Sequence, residues 1–323
     1  MLCCGHLASV DSRARPGLPP RVRLPLAAAV AMLSVVSTPL SAQPARNQPG
    51  AQGIVEETVT TQDGWRLPIT YYPAKQADAP VAILLHMQGD NRLVWGDRRN
   101  KFAGFLNVNG FAVVTVDLRK HGEAKGDSAG SSDLTNRDYA AMLLDLEAVK
   151  QFIFDEHQNK KLNMAKIAVV AAGMSAPVAI QWTAYDWAKR PYNDAPTLAA
   201  GTPRGQDVKC LVLLSPQDDV PGISVPRALR ALREPAIQCA VLIVYGQRVS
   251  ADERAAKDIH RQLGSRRGAE KQIAIEPLDT PNRGTDLIGQ GLQIETRIKD
   301  FLVDHTQKLD IAWRDRRSRL QRD

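Results

Sequence analysis

Residues 81–86 read Val-Ala-Ile-Leu-Leu-His, residues 110–117 read Gly-Phe-Ala-Val-Val-Thr-Val-Asp, and residues 167–175 read Ile-Ala-Val-Val-Ala-Ala-Gly-Met-Ser. Each is a short, continuous apolar run that stops at a polar residue or a glycine. A run without polar alternation is the pattern of a strand buried on both faces. Further runs of the same kind stand at 210–214, 240–244 and 272–275. Segments of helical spacing lie between them. The clearest is 135–155, where Tyr139, Met142, Leu143, Leu146, Val149 and Ile153 share one face, with Asp133 or Thr135 available as the N-cap. Ahead of these runs, alternation in 54–60 and 67–72 around Asp63-Gly64 predicts an antiparallel hairpin at a sheet edge. Repeated strand and helix with right-handed crossovers gives an α/β fold: a doubly wound, mostly parallel sheet with an N-terminal antiparallel hairpin. In such a sheet the ligand site belongs at the carboxyl ends of the strands.

Composition narrows the function. A chain of 323 residues with 44% hydrophobic content has enough apolar mass for one sizeable core. The formal charge of +7 is concentrated at the two ends, in Arg13, Arg15, Arg21 and Arg23 and in Arg314, Arg316, Arg317, Arg319 and Arg322. The C-terminal cluster therefore reads as a solvated helix end, and no nucleic-acid-binding face is expected. Residues 24–36 form an apolar run that follows Arg21 and Arg23 and is too short to span a bilayer comfortably. This is a signal-peptide pattern with cleavage expected after Ala42, an uncleaved anchor being the alternative. The twenty residues ahead of Val22 lack signal character, which places the expected start of translation near Val22. The chain is thus divided into an N-terminal extension and signal (1–42), a Pro/Gln/Gly-rich linker (43–53), a folded domain (54–305) and a basic tail (306–323). The expected location is periplasmic or extracellular, with no membrane span after cleavage.

Four cysteines are present, and Cys3 and Cys4 leave with the signal. Cys210 and Cys239 open two strands expected to be parallel neighbours, so the choice lies between a disulfide and two buried thiols. Neither a metal-binding cysteine pair nor a phosphate-binding glycine loop occurs, and neither a metal nor a cofactor is expected.

Several motifs resemble the α/β-hydrolase superfamily, particularly small secreted esterases and dienelactone-hydrolase-like proteins. His86-Met87-Gln-Gly89-Asp-Asn-Arg92 is similar to the family's oxyanion turn after its third strand. Asp117-Leu-Arg119-Lys-His121-Gly122 resembles its Asp-x-Arg-Gly-His-Gly turn after the fourth, with Lys120 in place of a glycine. Leu213-Leu214-Ser215-Pro216 with Asp219 and Gly222 matches the segment after strand six. The resemblance covers about 54–305 and implies the hydrolase fold, but fold alone does not imply activity.

Catalysis in that family needs a serine on a strained strand-to-helix turn, Gly-x-Ser-x-Gly, together with an acid and a histidine. In Ala171-Ala172-Gly173-Met174-Ser175, alignment on the strand and the following helix puts Gly173 at the serine position and Ser175 at the second glycine. A rival register treats Gly173-Met174-Ser175 as the Gly-x-Ser and makes Ser175 the nucleophile. The acid position after the seventh strand is taken by Val249, with Asp252 three residues on as a helix cap or a displaced acid. The base position, in Asn282-Arg283-Gly284-Thr285-Asp286, is taken by Arg283. An arginine stays protonated and does not accept the nucleophile's proton. Gly173, Val249 and Arg283 together predict a pseudoenzyme that binds a ligand or partner; the alternative is an unconventional esterase or acyl hydrolase using Ser175.

The other histidines are expected to be structural: His86 under the oxyanion turn, His121 in its loop, and His157, His260 and His305 on or beside helices. Asp117 and Arg119 are expected to pin their turn through charge-assisted hydrogen bonds. Trp95, Trp182 and Trp187 read as packing residues, with a pocket lining as the alternative. The N–H groups of Met87 and Met174 are the expected remnant of the oxyanion hole. With Arg283 beside them they predict a site for a small anion or carboxylate, unless Arg283 is simply ion-paired.

Overall fold

The computed structural model describes residues 53–96, 100–124, 134–264 and 272–322. The expected signal, its cleavage site, Cys3, Cys4, Asp133 and nearly all of the linker lie outside the described residues. β1 (Val55–Thr60) and β2 (Arg66–Tyr72) form the antiparallel hairpin. The parallel strands are β3 (Val81–Leu85), β4 (Ala112–Val116), β5 (Ile167–Ala172), β6 (Val208–Leu214), β7 (Ala240–Gly246) and β8 (Ile273–Leu278). The eight strands pair in the order β1-β2-β4-β3-β5-β6-β7-β8. The hairpin therefore sits at the edge, joined antiparallel to β4, as its alternation predicts.

Among the described residues, six α-helices cover the sheet: α1 (Phe102–Val108), α2 (Asn136–Gln158), α3 (Ser175–Ala188), α4 (Val225–Leu232), α5 (Ser250–Gly264) and α6 (Ile294–Leu302). Successive strand residues point to opposite faces, and the core divides accordingly. Val81, Ile83 and Leu85 join a cluster with α2, α3, α4 and α5, whereas Ala82 and Leu84 join one with α1 and α6. Thr135 caps α2 in a reciprocal capping box with Asp138. Trp95 and Trp182 are fully buried packing residues, and the Trp187 indole donates to the Val208 carbonyl at 2.8 Å.

The same alternation decides the cysteines. Cys210 lies opposite Ala240, so Cys239 is displaced from it by one residue along the neighbouring strand. A one-residue stagger reverses the face, and Cys239 belongs to the α2–α5 cluster while Cys210 belongs to the α1/α6 cluster. Both are buried free thiols, and the disulfide alternative is set aside.

The turn after β4 is held by two separate ion-pair sets. Asp117 pairs with Arg92 at 2.7 Å, while Arg119 pairs with Asp145 of α2 at 2.6 Å and with Asp63 of the hairpin turn at 2.7 Å. Lys120, where the family has glycine, takes the left-handed conformation at φ 65. A non-glycine residue there is strained, and the Lys120 ammonium bonds to Asp138 at 2.8 Å across that turn.

The basic C-terminus differs from the expected solvated helix end. Beyond residue 307 the described chain is mostly without regular secondary structure and lies against the domain. Asn163 donates to the Ile311 carbonyl at 2.8 Å, Trp313 donates to the His157 carbonyl at 2.9 Å, and Arg316 is 6% exposed. Arg316 reaches Asp207 at 2.7 Å, and Asp207 also faces Lys150 at 2.7 Å; Lys150 in turn pairs with Asp186. Two buried carboxylates need two cations, so the tail supplies a charge that the domain lacks. Local sequence could not reveal this, because the partners are more than a hundred residues away.

Candidate functional site

The carboxyl ends of β3, β5, β7 and β8 bring the expected site residues together. Gly173 follows β5 at a sharp bend with φ 56, and α3 begins two residues later. Its N–H donates to the Leu214 carbonyl at 3.0 Å, and its own carbonyl accepts from Ala176 and Gln217 at 3.2 Å each. The bend is therefore anchored to β6 and to the first turn of α3. A side chain at this position would meet Met87 at once, because a Cβ on Gly173 would lie 3.0 Å from the Met87 Cβ.

Ser175 stands inside the first turn of α3, fully buried. Its oxygen accepts from the Ala172 N–H at 3.0 Å, and its hydroxyl lies 2.9 Å from the Ala172 carbonyl and 3.3 Å from that of Leu85. Ser175 thus staples the end of β5 to β3. A nucleophile needs an exposed oxygen facing a base; this hydroxyl has neither exposure nor an imidazole partner.

Val249 is half-buried just before α5, where it accepts from the Glu253 N–H at 3.0 Å. One helical turn on, Asp252 is buried and points to the base position. There Arg283 donates through Nε to both Asp252 carboxylate oxygens, at 3.1 and 2.9 Å, and through Nη2 to Oδ1 at 2.5 Å. Hydrogen bonding to Asp252 raises the Arg283 pKa further above its ordinary value. The Arg283 side chain is 53% exposed and that of Asp252 only 3%, so the guanidinium lies on the wet side of the pair and the carboxylate inside. Asp252 also lies in the first turn of α5, where a carboxylate complements the helix dipole. Helix capping alone accounts for an acid there, so its second partner was hidden from sequence reading.

Met87 fills the space between the elbow and the base turn. A Cβ on Gly284 would come within 2.7 Å of the Met87 Sδ and 3.6 Å of the Ala172 Cβ. Gly284 itself has φ 51, so this turn needs glycine for both its backbone and its clearance. The Thr285 hydroxyl donates to Asp90 at 2.6 Å, tying the base turn to the turn after β3. An unbranched thioether adapts to irregular gaps, and here the Met87 sulfur lies beside Gly284 while its Cβ stands against the Gly173 bend.

His86 is structural, as expected. The Leu118 N–H donates to its Nε2 at 3.2 Å, which leaves Nδ1–H to donate to the Met87 carbonyl at 2.8 Å. Burial, reinforced by nearby His121, pushes its pKa down to about 4. The ring stays neutral and fixes the turn that carries Met87. His121 bonds the Arg119 carbonyl at 3.0 Å and His157 the Arg314 carbonyl at 2.8 Å, while His305 packs on Phe301. Among the described residues no cluster of metal-ligating side chains occurs, and no helix is long and apolar enough to cross a membrane.

No family model and no curated protein matches the sequence. Solved structures do match. The esterase Pf2001 of Pyrococcus furiosus superposes with a TM-score of 0.57 at 17% identity, covering 78% of this chain and 93% of that one. A dienelactone hydrolase from Anabaena variabilis gives 0.55 at 15% identity, covering 79% and 98%. The α/β hydrolase GrgF from a Penicillium species gives 0.57 at 14%, covering 79% and 99%. Identity this low carries the fold alone and leaves the chemistry to the residues: the chain has the α/β-hydrolase fold.

Proposed function

We propose that this chain is an exported pseudoenzyme, a ligand- or partner-binding protein that keeps the hydrolase scaffold without Ser-His-Asp hydrolysis. The observation that carries the reading is the elbow: Gly173 takes the left-handed bend with no side chain, and Met87 closes in to 3.0 Å of where one would begin. A side chain there would crowd the Met87 Cβ, and glycine has no atom to attack a carbonyl, which fits a site relieved of its chemistry. Arg283 and Asp252 support the same reading. Arg283 stands at the expected base turn, bound to Asp252, and a guanidinium holds its proton at any working pH, so it does not take the proton of a nucleophile as a histidine would.

The crevice retains parts suited to binding. In this reading the N–H groups of Met87 and Met174 serve as the oxyanion pair, the amino end of α3 adds partial positive charge, and Arg283 presents its outer edge. Asp252 offsets the Arg283 charge, so a carboxylate ligand would share the guanidinium with it and bind weakly.

Treatment with a fluorophosphonate probe tests the catalytic half of the proposal. No covalent labelling of the native chain is expected; labelling that disappears in Ser175→Ala would restore the serine-hydrolase reading. Calorimetric titration with acetate and benzoate, repeated on Arg283→Ala, tests the ligand half. Binding lost in the variant supports it, and an absence of heat in both proteins removes the crevice as a carboxylate site.

A further inference from the structure

At the opposite end of the sheet lies a cavity of about 600 Å³ that the hydrolase fold does not call for. Its walls come from the carboxyl halves of α2 and α3, the loop leading into β6, and the C-terminal strap. Met164 ahead of β5 and Arg204 ahead of β6 place it at the amino ends of the strands, away from the crevice around Gly173. The volume falls within the range of about 300–1,000 Å³ typical of small-molecule sites.

The charges around it do not balance. Lys150 and Arg316 are matched by Asp186 and Asp207, Lys189 by Glu147 at 2.6 Å, and Arg317 by Asp315 at 2.7 Å. Arg190 and Arg204 also line the cavity, and among the described residues no carboxylate pairs with either. Two positive charges, both on exposed side chains, are thus in excess at the mouth of a concave space, where a cleft of one sign focuses the field on an entering anion. Arg204 is held in place by the Tyr192 ring, with its guanidinium carbon 5.0 Å from the ring centroid. Phe154, Tyr185 and Tyr192 supply an aromatic wall, and Tyr185 is 50% exposed. Aromatic faces beside unpaired guanidinium groups suit a planar body carrying an anionic group.

We propose that this cavity is a second binding site, taking a small aromatic or otherwise planar molecule that carries a carboxylate, sulfonate or phosphate. Arg190 and Arg204 hold the anion, and the tyrosine and phenylalanine rings receive the planar part. The C-terminal strap is one wall of the site, so its docking through Arg316 shapes the cavity. Nothing in this site depends on whether the crevice at the carboxyl ends is catalytic.

Isothermal titration of the full chain with 2-naphthoate, naphthalene-2-sulfonate, neutral naphthalene-2-methanol and inorganic phosphate tests the proposal. The two naphthyl anions are expected to bind at least about tenfold more tightly than the neutral alcohol, with affinity falling as salt rises. The double variant Arg190→Ala/Arg204→Ala should weaken them by about tenfold or more without lowering the thermal midpoint, because neither side chain holds a carboxylate in the fold. Arg283→Ala should leave this binding untouched, which separates it from the crevice. Equal binding of anion and alcohol, or indifference to the double variant, overturns the anion site. Phosphate alone binding as tightly as the naphthoate overturns the planar part.

Discussion

The elbow after β5 and the amino ends of the sheet treat polar residues differently. Around the elbow the bend carries a glycine, Met87 stands against it, and the charges of the neighbouring turns after β7 and β8 form a half-exposed pair, Arg283–Asp252, while the buried Asp117–Arg92 and Arg119–Asp145 pairs lie apart from it in the turn after β4. At the amino ends, Lys150, Asp186, Asp207 and Arg316 are all buried within one alternating network. Here polar groups have been kept inside the protein and matched charge for charge. The contrast fits the proposed reading, in which a site relieved of its chemistry is free to be packed over. The amino-end charges are bound to the fold itself: removing either cation strands a carboxylate away from water.

Replacing Lys150 by Met should therefore have the largest effect. It leaves Asp186 and Asp207 with Arg316 alone, and breaking a buried pair of this kind costs about 3–5 kcal/mol. Urea unfolding at neutral pH measures it, and a loss below about 1 kcal/mol would mean that the network behaves like a surface pair and the contrast is false.

Acid should act through the carboxyl end. His86 has a folded pKa of about 4 against about 6.5 in the unfolded chain. Between those values the unfolded state binds more protons, so stability falls as pH drops through this window and the loss levels off below it. The gap corresponds to about 3 kcal/mol. His157 and His305 are also pushed down by burial and add in the same direction. Ion-paired Asp63 and Asp138, whose pKa values are lowered, lose their contribution only at more acidic pH, below the ordinary carboxylate value of 3.8. Unfolding midpoints at successive pH values should show the slope, and His86→Asn should flatten it; an unchanged slope would assign the titration to the other histidines.

Gly173→Ala comes next. A Cβ at φ 56 has to face Met87 at 3.0 Å, and a strained backbone position of this kind costs about 1–3 kcal/mol. A neutral result in thermal unfolding would show that the elbow does not require glycine. The smallest effect is expected for Ser175→Ala, about 1 kcal/mol from the lost staple between β5 and β3. A loss of stability with no change in probe reactivity would confirm that this hydroxyl is structural.

Much of the fold was legible because its signals are local. Runs such as 81–85 and 112–116 carry the pattern of doubly buried strands, and Thr135 with Asp138 marks the start of α2. The motif order put Gly173, Val249 and Arg283 on successive carboxyl-end turns, and the turns do meet around Met87 and Asp252. What the sequence left open shares a cause. Asp252 fits a cap because any acid in a first helical turn satisfies the dipole, whether or not a distant arginine also holds it. The choice between bonded and free thiols at Cys210 and Cys239 stayed open because strand pairing is visible in sequence but a one-residue stagger is not.

By itself, then, the sequence determined which segments become strands and helices, where the turns fall, and which residue types those turns carry, since backbone preference and hydrophobic period act over a few residues. Only the tertiary structure decided what each turn residue touches: that Met87 fills the elbow, that Arg283 is bound to Asp252, and that Arg316 leaves a basic tail to neutralise Asp207. Those contacts join residues far apart in the chain, and their energies depend on burial and on exact register, which exist only once the sheet has closed its two faces.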